Sequence, residues 1–307
     1  MVLILGALRL AVSSGRAFFP ITCDVISEFS KQTRERFDQT MSLVEQLSLG
    51  VSMIPHPERM ALEMEQFMGT VRPMYPPEKR PIWTSFAFSF GYKDLQPPGM
   101  TLGPHVLTAM AETAWNAQPS LLAKSLDLEV FEAREESRAL AERLNELNQQ
   151  YAEDVTSHEV AVRMEIDGAA ELLRGVAARE FRRLAKAAGQ IEADDVAKSQ
   201  SAAKSMSGIV AQGLQKPENQ RRFGSLFVPA MLHAAVRSER NRKIKPNDIF
   251  DFRHAAAALP YCKAFLTDRS LATLIGSGHV ALDQIYDCKI ASSPETATEI
   301  ILDLVGA

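Results

Sequence analysis

The sequence predicts an α/β protein: a parallel, doubly wound sheet formed by the two ends of the chain, with a long all-helical region between them. Three observations predict it. Short apolar runs alternate with helix-patterned segments before residue 70 and after residue 244, the rhythm of strand–helix–strand units. Residues 105–243 carry Ala, Glu, Leu and Arg at helical spacing with little strand-like sequence. Residues 71–104 hold Pro73, Pro76, Pro77, Pro81, Pro97, Pro98 and Pro104, which break any long helix. The expected organisation is an α/β domain of residues 1–70 and 244–307, a Pro- and aromatic-rich connection over 71–104, and a helical insertion over 105–243.

At the N-terminal end, residues 4–14 read as a buried helix stopped by Gly15. The run RAFFPIT, residues 16–22, suits a buried strand. Thr22 or Asp24 can cap the next helix, to about residue 37. A further helix covers 40–47, a short strand 51–54, and a helix 58–68 follows Pro55 and Pro57. Within the connection, Phe86, Phe88 and Phe90 alternate. A base-stacking surface is one reading; packing against the core is the better one. Helices are expected over 129–154, 157–188, 192–215 and 223–240, with no fixed-period repeat that would make a solenoid. At the C-terminal end, a helix over 249–259 stops at Pro260. Strands at 264–267 and 288–291 flank a short helix over 270–275, and Ser293-Pro294-Glu295 opens a last helix to residue 305.

The chain has 307 residues, 46% of them hydrophobic and 23% charged, a globular composition. Its formal charge of −4 gives no general attraction to nucleic acid or anionic membrane, so any such contact needs a local basic patch. The apolar start is too short to span a bilayer and lacks the basic flank of a signal peptide. Cys23, Cys262 and Cys288 are widely spaced with no CxxC, which reads as reduced thiols of a cytoplasmic protein. No GxxxxGK[ST], HExxH, GxSxG or GxGxxG occurs, which leaves P-loop, zinc-protease, hydrolase and dinucleotide readings without support.

The chemistry concentrates in residues 248–269, DIFDFRHAAAALPYCKAFLTDR. Asp251 falls in the first turns of a helix, with His254 one turn on. Asp268 falls just past a strand, where open α/β sheets bind ligands. Glu28 follows the run 16–22 in a comparable place. Each acid alone is better read as a helix-terminal or solvated residue; their order and spacing argue for a site. The basic cluster Arg237, Arg240, Arg242, Lys243 and Lys245 leads into it. A solvated face is the default reading of such a cluster, and nucleic-acid binding the functional one.

FPITCDVISEF, HAAAALPYC and FLTDR together resemble the PIN-like domain family, in a bacterial branch of uncharacterised proteins, over roughly the first 70 and last 65 residues. The resemblance implies an intracellular ribonuclease dependent on Mg²⁺ or Mn²⁺, with Glu28, Asp251 and Asp268 as catalytic metal ligands. Asp248 is the alternative to Asp251, and Thr267 and His254 are supporting residues. Clustered carboxylates suit such hard ions, which activate water and neutralise the scissile phosphate. One departure is plain: PIN domains begin with a strand ending in Asp, and here no acid precedes Asp24. The expected function is therefore a PIN-like nuclease fold with an incomplete acid set, through a shortened start or natural degeneracy. The alternative is a non-catalytic interaction or scaffold protein that uses its helical middle, with a homodimer through those helices as one form.

Overall fold

The computed structural model describes residues 2–71, 81–90, 100–126, 133–187, 196–239 and 242–306. Along the chain these form α1 (Val2–Ser13), α2 (Cys23–Phe29), α3 (Arg34–Ser48), β1 (Val51–Met53), α4 (His56–Val71) and β2 (Trp83–Ser85). A 3₁₀ turn over Phe86–Phe90 leads to α5 (Pro104–Trp115), α6 (Pro119–Ser125), α7 (Ala133–Gln150), α8 (His158–Ala187) and α9 (Val196–Leu214). Then come α10 (Pro217–Gln220), α11 (Gly224–Ser238), α12 (Pro246–Ala258), β3 (Ala264–Leu266), α13 (Arg269–Ile275), α14 (Leu282–Tyr286), β4 (Lys289–Ala291) and α15 (Pro294–Val305).

The doubly wound parallel sheet is not formed. The described residues are mostly helical, and their strands pair as two separate two-stranded sheets, β1 with β2 and β3 with β4. β1 and β2 run antiparallel, Val51 opposite Ser85 and Met53 opposite Trp83. The expected strand over 16–22 reduces to one parallel bridge, Ile21 to Ser52. The physical reason is the length and burial of the strands. Each spans three residues, and β3 is only half-buried along its length. An inner strand of a doubly wound sheet is covered on both faces and needs longer ladders.

The chain divides into two compact units. The first comprises residues 1–55, 81–137 and 291–307. Here α1 packs on α15 and α3, and α3 on α6. Gly15 takes φ +68 just after α1, the left-handed exit that glycine permits. Thr22 caps α2 as expected, its hydroxyl accepting from the Val25 N–H at 3.4 Å. That helix stops at Phe29, and α3 begins at Arg34, several residues earlier than the pattern predicts. Arg34 donates to the Ala123 and Leu126 carbonyls at 3.0 Å each, covering the C-terminal end of α6 with positive charge. Ile21, Ile26, Phe37, Met41, Phe86 and Ala123 form the core. Phe86 and Phe90 meet edge to face at 5.7 Å, so these aromatics are packing residues. Pro73, Pro76, Pro77, Pro97 and Pro98 lie outside the described residues.

The second unit comprises residues 56–80 and 138–290. Its centre is α11, whose buried residues occupy every face, the pattern of a helix wholly inside a core. It packs on α8, α12 and α4, and α8 packs on α9. Gly224 at its start has a specific cause: a Cβ there would lie 2.1 Å from Pro260 Cγ. Asn145 on α7 clamps the segment before α12, accepting from the Ile244 N–H at 2.9 Å and donating to its carbonyl at 2.8 Å. Among the described residues, no helix is long and apolar enough to cross a membrane.

Candidate functional site

Pro246 opens α12 in the position where a missing N–H is harmless. Asp248, two residues later, turns back and accepts from the Lys245 N–H at 2.8 Å. Asp268 is the N-cap of α13, in extended backbone, and its Oδ1 accepts from the Leu271 N–H at 2.8 Å. Both carboxylates therefore satisfy orphan N–H groups of helix ends, the ordinary work of Asp there. Between them, Asp251 and His254 are half-buried on α12, and Thr267 is half-buried ahead of Asp268. Glu28 lies half-buried on α2, in the first unit, whereas Asp248, Asp251 and Asp268 belong to the second. Among the described residues, no group of three or more His, Cys, Asp or Glu is gathered as a metal ion would require.

The basic cluster is also engaged. Arg237 donates to Glu165 on α8 at 3.0 Å, with both side chains largely shielded from water. Arg242 stands 3.9 Å from Glu239. Lys243 and Lys245 are exposed, and Arg240 lies outside the described residues. Arg237, Arg242 and Lys243 line a groove of about 830 Å³ together with Glu142, Glu146, Glu153 and Glu239. A phosphate backbone approaching this groove would meet four carboxylates beside three cations, which offsets the attraction.

The most perturbed acid is one that sequence reading passed over. Glu63 on α4 is 4% exposed. Its carboxylate accepts from the Ser225 N–H at 3.1 Å and the Ser225 hydroxyl at 2.9 Å, at the start of α11, and from the Tyr261 hydroxyl. Arg59, one turn earlier on α4, is completely buried and draws the carboxylate toward its charged form. Burial outweighs these contacts and pushes Glu63 up to about 7. The Tyr261 and Tyr286 hydroxyls are raised far above their usual range, first by burial and then by Glu63. This cluster ties α4 to α11 and to the chain after α12. Its available signal was Arg59 and Glu63 four apart among Met60, Leu62, Met64 and Phe67, a charged pair inside an apolar helix face.

The three cysteines are free thiols. Burial pushes Cys262 up to about 11 and Cys288 to about 12, so neither is a thiolate nucleophile at neutral pH.

No protein-family model matches the chain, and neither a curated protein nor a solved structure matches it.

Proposed function

We propose that this chain is a non-catalytic, homodimeric scaffold whose helical unit supplies the interface. The observation that carries this reading is the engagement of Asp248 and Asp268. Of the four residues expected to hold Mg²⁺ or Mn²⁺, two, Asp248 and Asp268, accept backbone N–H bonds at the starts of α12 and α13. The groove beside α7 supports the dimer. Glu142, Glu146 and Glu153 come from α7 and the turn after it, whereas Arg237, Arg242 and Lys243 come from the end of α11 and beyond. Arg237, Arg242, Glu142 and Glu146 already pair within the chain, so a two-fold dimer would rest on Glu153 of one copy against Lys243 of the other. The free thiols fit a reducing, cytoplasmic setting.

Sedimentation of the full chain at low and high salt, with charge swaps, tests this. A dimer is expected that weakens with salt, is lost in Glu153→Lys and in Lys243→Glu, and returns in the double variant. A monomer at all salt concentrations, or swaps without effect, overturns the dimer. Incubation with single-stranded RNA and Mn²⁺ tests the rival ribonuclease. No cleavage above an EDTA control is expected; Mn²⁺-dependent cleavage lost in Asp268→Asn would establish the nuclease instead.

A further inference from the structure

The start of α8 carries a histidine joined to two other elements of the second unit. His158, the first residue of the helix, stands with its ring 4.6 Å from that of His279, edge to face at 78°. His279 belongs to the turn of residues 276–281, between α13 and α14. Nδ1 of His158 lies 3.2 Å from the Ser238 hydroxyl at the end of α11. That hydroxyl donates its own proton to the Ala234 carbonyl at 2.7 Å, so it accepts from Nδ1–H of His158. One imidazole thus fastens the turn and the end of α11 to the start of α8.

The arrangement suits a neutral ring. With one proton on Nδ1, a second must go on Nε2. Nε2 is shielded from water and makes no hydrogen bond among the described residues. A cation there would also meet the positive end of a 30-residue helix. Burial, and then the charge of His279, hold His158 below its usual range; Glu159 and the His279 carbonyl pull the other way, less strongly. The charged groups on its own and the neighbouring elements are engaged. Glu159 bonds to Ser157, Arg237 pairs with Glu165 at 3.0 Å, and Glu239 stands 3.9 Å from Arg242. Residues 276–281 contain no carboxylate.

The turn carries backbone strain. α14 is bounded by two left-handed residues that are not glycine, Ala281 at φ 42 and Asp287 at φ 52. Such backbone persists only where its surroundings hold it, and it collects at switches. The turn is held by the His279 ring on His158 and by Val280, which is 1% exposed in the core.

We propose that residues 276–281 form an acid-released latch: protonation of His158 expels the His279 ring, and the turn swings away and uncovers Val280. The sign follows from linkage. The closed form keeps His158 deprotonated below the 6.5 of an ordinary imidazole, so the open form takes up the proton first. The latch is therefore shut above pH 6.5 and loosens as pH falls below it.

Amide hydrogen exchange of the full chain at about pH 5 and pH 7.5, corrected for the intrinsic exchange rate, tests this. Protection of residues 276–286 should fall about fivefold at the lower pH, the effect of one charge set against a helix N-terminus, while α11 stays protected. His158→Asn keeps a donor for Ser238 and takes up no proton, so its turn should be equally protected at both values. Should that variant loosen the turn at both, His279→Phe decides, because it keeps a ring and removes the second charge: a smaller pH response supports the latch, and an unchanged one overturns it. The inference does not rest on the dimer. Release within one chain should be unchanged at about tenfold higher protein concentration. Three results would overturn the proposal: equal protection of the wild-type turn at both values, a pH response that persists in His158→Asn, or a response that vanishes at the higher concentration.

Discussion

Replacing Glu63 by glutamine should change how stability depends on pH, with a calculable sign. The carboxyl titrates near 4.5 when unfolded and near 7 when folded. Between those values the folded chain holds a proton that the unfolded chain has released. Stability from this group is therefore fully present below pH 4.5 and is lost as pH rises through 7. The gap corresponds to ~3 kcal/mol. His233 acts oppositely. Burial lowers it from 6.5 to about 4, so the unfolded chain binds its proton first and stability falls as pH drops through that window. His158, which burial lowers, and Glu165, which burial raises, add slopes of the same two signs, so the quantity to read is the difference between wild type and Glu63→Gln, from which those slopes cancel. Urea unfolding of both proteins from pH 5 to 8.5 measures this. The groups facing Glu63, namely Arg59, Ser225, Tyr261 and Tyr286, stay the same in both proteins, as does Glu165, which burial also raises. The stability difference between the two proteins should therefore shift by ~3 kcal/mol across the window. A difference that does not vary with pH would refute a proton-binding Glu63.

Other substitutions test the same structure. Asp268→Ala should cost about 1 kcal/mol of stability by removing the N-cap of α13, whereas Asp268→Asn should change it by only a few tenths; equilibrium unfolding compares them. Gly224→Ala should destabilise by about 1–3 kcal/mol, because the new methyl meets Pro260, and thermal unfolding reads that loss. Leu232→Ala, at a completely buried position of α11, should cost about 2–5 kcal/mol, also by thermal unfolding.

Local elements were legible because their causes are local. The Thr22 cap, the Gly15 exit, the strand at 51–53, the helices of the middle region and the Ser293-Pro294 start of α15 all follow from neighbouring residues. Pairing was not legible. Apolar runs at 51–53, 264–266 and 289–291 announce strands without naming partners, and three-residue ladders leave those partners to tertiary packing. The site suffered from the same gap. Asp248 and Asp268 stand where acids can cap helices and where they can hold a metal, and sequence spacing alone does not separate the two. Glu63 stayed hidden because an Arg–Glu pair one turn apart usually marks a solvated helix face. Only the packing of α11 and Tyr261 over it reveals a buried carboxyl.

The central claim is that Asp268 serves its own helix and not a metal ion. Thermal unfolding of wild type and Asp268→Asn in rising Mn²⁺ tests it most directly, because a native-state ligand raises the melting temperature by mass action. The structure predicts nearly superimposable curves, with shifts under about 1 °C at millimolar Mn²⁺ in both proteins. A rise of several degrees in wild type that disappears in Asp268→Asn would contradict it.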